Sequence, residues 1–503
     1  MTPSTAPIAA PAESAAAQVL DLARAEAGPA GVEAEVVVYQ TEYALTRFAN
    51  SFIHQNVAES TVSVQLRLHT DGRTAAGSTT ITDPESLRDL VRRTVAAARL
   101  CPPDPQWAGL AAPAPVLPGP EVDEATAHAN PQDRARRVRD FVQAADGLTT
   151  AGYCSTLYWS ATFANSAGQT ATSAAAQAAI DAIARAEGAD GLARVATGRL
   201  ADLDGAVLGA RAAAKARAAA NPIELAPGRY EVVLEPTAVA DLLTLMAFYG
   251  FNGKAVNERR SFVEIGEPQF DPAISLVDDP FAPGSTALTF DCEGTPRRRL
   301  TMVDAGRTTA VAHDRRTAAQ AGTESTGHAV PGGTAAGAIA AALQLLPSGS
   351  AGGGGASGGS VDGGSAGGGS VDGGGVDGGS ASSGRAAEVD GPAADASVAA
   401  LVSQVERGLL VTDNWYTRVL DPRTLVVTGL TRNGVWLIED GQVTRPVQNL
   451  RFTQSYPEAL APGAVLAVGS HGVTLPNGWW EGMTCHAPAL RLRSWNYTGN
   501  ASG

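Results

Sequence analysis

The sequence predicts an α+β protein in two units. The N-terminal unit has α/β content, with helices set against a mixed or antiparallel sheet, and the C-terminal unit is mainly β. Three observations predict it. Helix and strand patterns alternate along the first part of the chain. Short strands and turns dominate the last part. A Pro- and Gly-bearing connection, Asn221–Gly228, lies between them. The chain has 503 residues, 44% of them hydrophobic, which is enough for two or three domains with real cores.

Residues 1–14 are rich in Ala, Pro, Ser and Thr and read as a flexible tail. Ala15–Ala27 reads as a helix and Ala34–Tyr39 as a strand. Thr61–His69 alternates strictly, with Val62, Val64, Leu66 and Leu68 on one face, and an Asp71-Gly72 turn follows. Thr82-Asp83, Pro84 and Glu85 open a helix whose buried stripe is Leu87, Leu90, Val91 and Val95. Residues 101–132 are a Pro-rich connection, and Asp133–Ala145 is a short basic helix. Tyr153–Phe163 reads as a strand and Asn165–Gly168 as a turn. Two Ala-rich stretches, 174–187 and 205–220, read as helices. The N-terminal unit thus spans 15–222 and the C-terminal one 223–503.

In the second unit Tyr230–Leu234 is a strand. Pro236 then opens a helix to about Tyr249, with Val239, Leu242, Leu243 and Met246 at helical spacing. Val435–Val447 is a hairpin with Asp440-Gly441 at its tip. A Gly/Ser-rich insert at 348–394 reads as disordered, without chemistry of its own.

The 37 basic and 51 acidic residues leave a net charge of −14, which argues against nucleic-acid phosphates and anionic membranes as partners. No apolar run approaches transmembrane length, and the first 20 residues carry neither a basic residue nor an apolar segment. Four dispersed cysteines with no CxxC fit reduced thiols, so a cytoplasmic location is expected. No two of the seven histidines are closer than 15 residues, so there is no HExxH and no short zinc-binding pair. There is no GxSxG elbow and no phosphate-binding GxxxxGK[ST] loop.

Segment order carries more information. Thr46–Asn56 (TRFANSFIHQN), Phe163–Gly168 (FANSAG), Gly253–Phe262 (GKAVNERRSF) and Asp291–Gly294 (DCEG) occur in that order. Arg315–Gly327 (RRTAAQAGTESTG), Gly408–Trp415 (GLLVTDNW) and the hairpin Val435–Val447 follow. In this order the chain resembles the TldD/PmbA family. DCEG stands where the family has DDEG, with Cys292 replacing an Asp.

The resemblance implies a zinc metallopeptidase context. One branch of the family, TldD, carries HExxxH on the helix before the GKAVNERRSF segment, plus a Cys ligand near the C-terminus. Here those positions fall on Thr244 (first ligand), Leu245 (general base) and Tyr249 (second ligand), and the Cys position falls near Thr474. Leu cannot accept a proton, and Thr and Tyr are poor zinc ligands. Two ligands five apart also lie about 140° around a regular helix, so the backbone there must be distorted to share one metal.

The pattern matches the TldE (PmbA) branch, which lacks the site. The resemblance implies a non-catalytic, pseudoenzyme-type subunit with no catalytic or metal-binding residue of its own. It would pair as a heterodimer with a TldD-like subunit carrying HExxxH and the zinc, enclosing a chamber where unfolded peptide is cut. Asn257, Arg259, Arg260 and Ser261 are candidate substrate contacts, since Arg offers a fork of donors. Arg297-Arg298-Arg299 reads as a solvated strand edge, and Trp479-Trp480 as an interface anchor or a packing pair. Two other readings stay open. One is an autonomous metallopeptidase with a non-standard site built from His313, His328, His471 or Cys485-His486. The other is a regulatory binding protein.

Overall fold

The computed structural model describes residues 9–27, 31–348, 395–477 and 482–501. The N-terminal unit runs α1 (Ala9–Ala27), β1 (Glu33–Ala49), β2 (Phe52–Thr70), β3 (Arg73–Thr79), α2 (Pro84–Leu100), α3 (Glu124–Ala127), α4 (Pro131–Ala144), β4 (Thr149–Asn165), β5 (Thr170–Ala186), β6 (Ala189–Thr197) and α5 (Gly205–Ala218). The C-terminal unit begins with β7 (Gly228–Leu234), α6 (Pro236–Leu245), a π-turn over Met246–Gly250, α7 (Gly253–Asn257), β8 (Ile274–Asp278), β9 (Leu300–Asp304) and β10 (Arg307–Thr308). It continues with α8 (Arg315–Ala321), α9 (Gly333–Ala336), β11 (Ala342–Pro347), α10 (Ala396–Val402), β12 (Arg407–Asp421), β13 (Val426–Glu439), β14 (Gln442–Pro446), β15 (Leu450–Ser455), α11 (Tyr456–Ala459), β16 (Val465–Pro476) and β17 (Thr484–Asn500). The α+β class is as predicted.

The first sheet is antiparallel, in the order β3-β2-β1-β4-β5-β6. Its strands alternate between two faces. One face carries Val36, Val38, Val64, Leu66 and Leu68, packed under α1 and α2, and Ala178, Ile180 and Ala182, packed under α4 and α5. The opposite face carries Glu35, Val37 and Tyr39 of β1, paired across to Arg67, Gln65 and Ser63 of β2. That face meets the C-terminal unit, where Val37, Ala161, Phe163 and Phe290 form a small core of their own.

In the second sheet, pairings between β7, β12, β13, β15 and β17 close into a ring, and β11, β8, β9 and β10 extend from β17. Ring closure removes open edges among those five strands. The main core lies here, with Leu242, Leu243 and Met246 of the central helix against Leu490, Leu492 and Trp495 of β17 and Val411 of β12.

Several expectations change. The helix expected from Ala15 starts at Ala9, so part of the predicted 1–14 tail is helical and residues 1–8 lie outside the described residues. β1 and β2 run far beyond the predicted spans and meet at Asn50-Ser51, both at positive φ, as a two-residue type I′ hairpin requires. The Ala-rich stretch 174–187 is strand β5, not helix. Alanine favours a helix locally, but here the stretch pairs on both sides, and small side chains let helices approach the sheet closely. A Cβ on Gly191 of β6 would meet the α5 backbone at 2.1 Å, which shows how tight that approach is. The stretch 205–220 does form α5. Arg297 is buried rather than solvated. Residues 349–394 of the Gly/Ser-rich insert and Trp479-Trp480 lie outside the described residues. Among the described residues no helix is long and apolar enough to cross a membrane.

Candidate functional site

The helix that carries the expected motif changes pitch at the expected place. It is α-helical to Leu245 and then widens into the π-turn, closed by the Phe251 N–H donating to the Met246 carbonyl at 2.8 Å. This is the distortion that two side chains five residues apart would need to approach each other.

The side chains do not fit zinc. The Thr244 hydroxyl donates to the Ala240 carbonyl at 2.8 Å, a bond within its own helix. Leu245 is 1% exposed and belongs to the main core, against which Tyr249 also packs. Thr474 bonds to His486 Nδ1 at 3.0 Å and does not face the helix. The residue that reaches Thr244 is Asn477, whose amide donates to the Thr244 hydroxyl at 3.3 Å. Side chains on a strand alternate, and Asn477 shares its face with Leu475 rather than with Thr474. The helix therefore meets a position three residues beyond the expected one. Among the described residues no three His, Cys, Asp or Glu side chains are arranged to hold a metal ion.

The candidate substrate contacts have local duties. The Asn257 amide donates to the Thr317 carbonyl at 2.9 Å, tying α7 to α8. Arg259 takes positive φ and, with Arg260, ends α7. The Arg260 N–H reaches the Ala255 carbonyl and the Arg259 N–H reaches that of Val256, a Schellman stop with Arg where Gly is usual. The Arg260 guanidinium pairs with Glu258 at the surface. The Ser261 hydroxyl donates to the Gly250 carbonyl at 2.8 Å and so caps the π-turn. None of the four lines the cavities described next.

The other motif segments converge at the seam between the units. Asp291 folds the DCEG loop. One carboxylate oxygen accepts the Glu293 and Thr295 N–H groups at 3.0 and 2.9 Å, and the other accepts the Ala329 N–H at 2.9 Å. Gly294 sits at φ +74° directly against the Phe163 ring of FANSAG. Glu293 points back to the first sheet and accepts from Arg67 at 2.8 Å, while its second oxygen accepts the Arg315 N–H at 2.9 Å. Arg67 Nε donates to Glu35 at 2.6 Å. Burial pushes the Glu35 carboxyl up to about 7, and Glu293 nearby adds to the push against the pull of Arg67. Burial also raises Asp291, with Glu293 adding, against the three N–H donors that favour the carboxylate. The Cys292 thiol is raised by burial and by the flanking acids, so it stays protonated.

Beside this lies a second buried group. Asp278 accepts from Arg297, from His328 Nε2 at 3.1 Å and from the Ala342 N–H at 2.7 Å. Burial opposes ionisation of Asp278, but Arg297 and His328 hold its carboxyl well below the usual carboxylate range. Burial lowers His328, so its imidazole is neutral. His313 is likewise lowered by burial and bonds Thr317 at 3.2 Å. Cys485 and His486 are adjacent on β17 and so project to opposite faces.

Two cavities open along the seam. One, of about 360 Å³, is largely apolar, lined by Tyr39, Leu157, Trp159, Phe290, Ile339 and Met483. The other, of about 390 Å³, is acidic at one end, with Glu35, Arg67, Glu293 and Asp314 in its wall. Gln65, Cys292 and residues 329–331 line both. Sequence reading missed Glu35, Arg67, Asp278 and His328 as a group. One signal was available, because strand alternation sets Glu35 beside Val37 and Tyr39 on a single face.

Comparison with known proteins agrees with this arrangement. Residues 227–346 and 381–499 match the PmbA/TldA metallopeptidase C-terminal domain, and residues 34–98 match PmbA/TldA metallopeptidase domain 1. TldE from Thermococcus kodakarensis superposes with a TM-score of 0.77 at 18% identity, covering 96% of this chain and 100% of that one. A DNA gyrase modulator candidate from Thermotoga maritima gives 0.73 at 16% identity, over 97% and 100% of the two chains. One from Bacteroides thetaiotaomicron gives 0.74 at 18%, over 97% and 98%. No curated protein matches the chain. The matched segments cover more than half of the sequence, and the chain belongs to the PmbA/TldD family, with a TldE-like fold.

Proposed function

We propose that this chain is the non-catalytic subunit of a TldD/TldE-type zinc metallopeptidase complex. It helps form the chamber in which unfolded peptides are degraded or processed, and the zinc belongs to a TldD-like partner carrying HExxxH. One observation carries the reading. The helix keeps the wide turn at the motif position, yet Thr244, Leu245 and Tyr249 occupy it, and Leu245 is core. No proton acceptor stands at the base position. The seam supports the chamber role, since its cavities mix aromatic walls with a polar end, as a peptide site requires.

The test is metal content and reconstitution in the cytoplasm-like reducing buffer expected for free thiols. Purified alone, the chain is expected to hold no stoichiometric zinc and to leave an unstructured peptide uncut. Mixed with an HExxxH-bearing family member, it should elute as a complex that cuts the peptide. About one zinc per isolated chain, with chelator-sensitive cleavage, would instead establish an autonomous metallopeptidase. Two chains that elute separately, with no gain in cleavage, would leave a regulatory binding protein.

A further inference from the structure

We propose that the acidic cavity at the seam binds a single organic cation, an ammonium or guanidinium group of a peptide, with Glu35 as its acceptor. The inference rests on the peptide-chamber reading only for the ligand's being a peptide.

Glu35 is 4% exposed and lines the cavity, and its Oε2 has no hydrogen-bond partner. A buried carboxylate oxygen left unpaired is costly, which marks a place where a donor is missing. The groups facing Glu35 come from three elements. Arg67 of β2 is the cation in direct contact. The DCEG loop brings Glu293 and Cys292, and Arg315 stands at the start of α8, besides Tyr39 on Glu35's own strand. Arg67 divides itself between Glu35 and Glu293, and Glu293 also takes the Arg315 backbone N–H. Asp314 is satisfied by its own helix, accepting the Thr317 N–H at 2.7 Å, and Arg316 is spent on Asp104. The Arg315 guanidinium is spent on the Gly109 and Ala108 carbonyls, so of the facing cations only Arg67 donates to Glu35, and Oε2 is left open. An ammonium or guanidinium would supply the missing donor.

The neighbouring cavity indicates what is attached to that cation. The two spaces share Gln65, Cys292 and residues 329–331 as lining, so they adjoin. A ligand with its cation at Glu35 would lay its next apolar group against Tyr39, Trp159 and Phe290. Since Glu35 is held partly protonated near neutrality, cation binding must release a proton and strengthen as pH rises through about 7.

The experiment is calorimetry on the full chain with two probes at pH 6 and 8. One is an N-acetylated, amidated Phe-Arg dipeptide, which offers only the guanidinium. The other is an amidated Phe-Leu dipeptide with a free N-terminus, which offers only the ammonium. At least one should bind, more tightly at pH 8, with a heat that depends on buffer ionisation. Glu35→Gln should weaken it by at least about tenfold and abolish the proton release. Ser78→Arg places a tethered guanidinium at the cavity wall from an exposed strand position and should block binding without lowering Tm. Binding of either probe that Glu35→Gln and Ser78→Arg both leave unchanged would overturn the proposal, as would binding of neither probe. That failure would leave complex formation with a zinc-bearing partner intact, whereas failure of complex formation would leave the cation site intact.

Discussion

Arg67 on β2 and Glu293 in the DCEG loop are joined at 2.8 Å across the seam, and the same guanidinium holds Glu35 at 2.6 Å. One side chain of the first sheet thus compensates acids from both units. Arg67→Met would leave two buried carboxylates without their cation and should cost about 3 kcal/mol, more at pH 8 than at pH 5. Chemical denaturation at both pH values measures it. An equal loss at both would mean that the carboxylates are compensated by something else.

Glu35 sets the alkaline slope of stability. Its carboxyl is raised from 4.5 to about 7 in the fold, so the native state holds the proton where the unfolded chain has lost it. That contribution is full below about pH 4.5 and is lost as pH rises through about 7. Glu35→Gln removes the slope, and at pH 8 the variant should exceed the wild type by up to about 3 kcal/mol. Urea midpoints at pH 5 and 8 provide the check, and parallel wild-type and variant profiles would refute it.

His328 acts in the opposite direction. Its pKa is lowered from 6.5 by burial, so its contribution is present above about pH 6.5 and is lost as pH falls below that. Asp278 adds a second loss at lower pH, where its depressed carboxyl must be protonated. His328→Gln keeps a donor toward Asp278 and should flatten the fall between pH 7 and 5. Thermal melts across that range would show it.

Gly294 has no room for a side chain. A Cβ there would lie 2.1 Å from the Phe163 ring, and φ is +74°. Gly294→Ala should destabilise by about 2–3 kcal/mol. The double variant Gly294→Ala/Phe163→Leu should recover part of the steric share, and failure to recover any would assign the whole cost to the backbone.

Leu245→Glu restores the family's general base in name only. The position is 1% exposed within the main core, so a carboxylate there should cost about 3 kcal/mol or more and bring no zinc. Tm and metal analysis of the one variant test both halves.

How much of this was legible in the sequence depended on where each signal resides. The cap at Asp83 was readable because a helix start is local chemistry, and its side chain does accept the Glu85 and Ser86 N–H groups. The Asp440-Gly441 hairpin was readable for the same reason, both residues taking positive φ. β5 was misread because its alanines follow their neighbours rather than their own propensity. The far halves of β1 and β2 were missed because both of their faces are partly exposed, which erases the period-two pattern. At the site, the residue types at Thr244, Leu245 and Tyr249, where the resemblance puts the motif, could be read directly as poor ligands and no base. The Glu35–Arg67–Glu293 contact was not legible, since it joins residues more than 200 positions apart.

The DCEG loop is hydrogen-bonded to both sides of the seam, through Arg67 and Gln169 on one side and through the Arg315 and Ala329 N–H groups on the other. The two walls therefore cannot swing apart without stripping buried carboxylates of their donors. The cleft behaves as a fixed aperture rather than a jaw. For the chamber proposed above, a rigid slot would select what enters by its width rather than by closing on it.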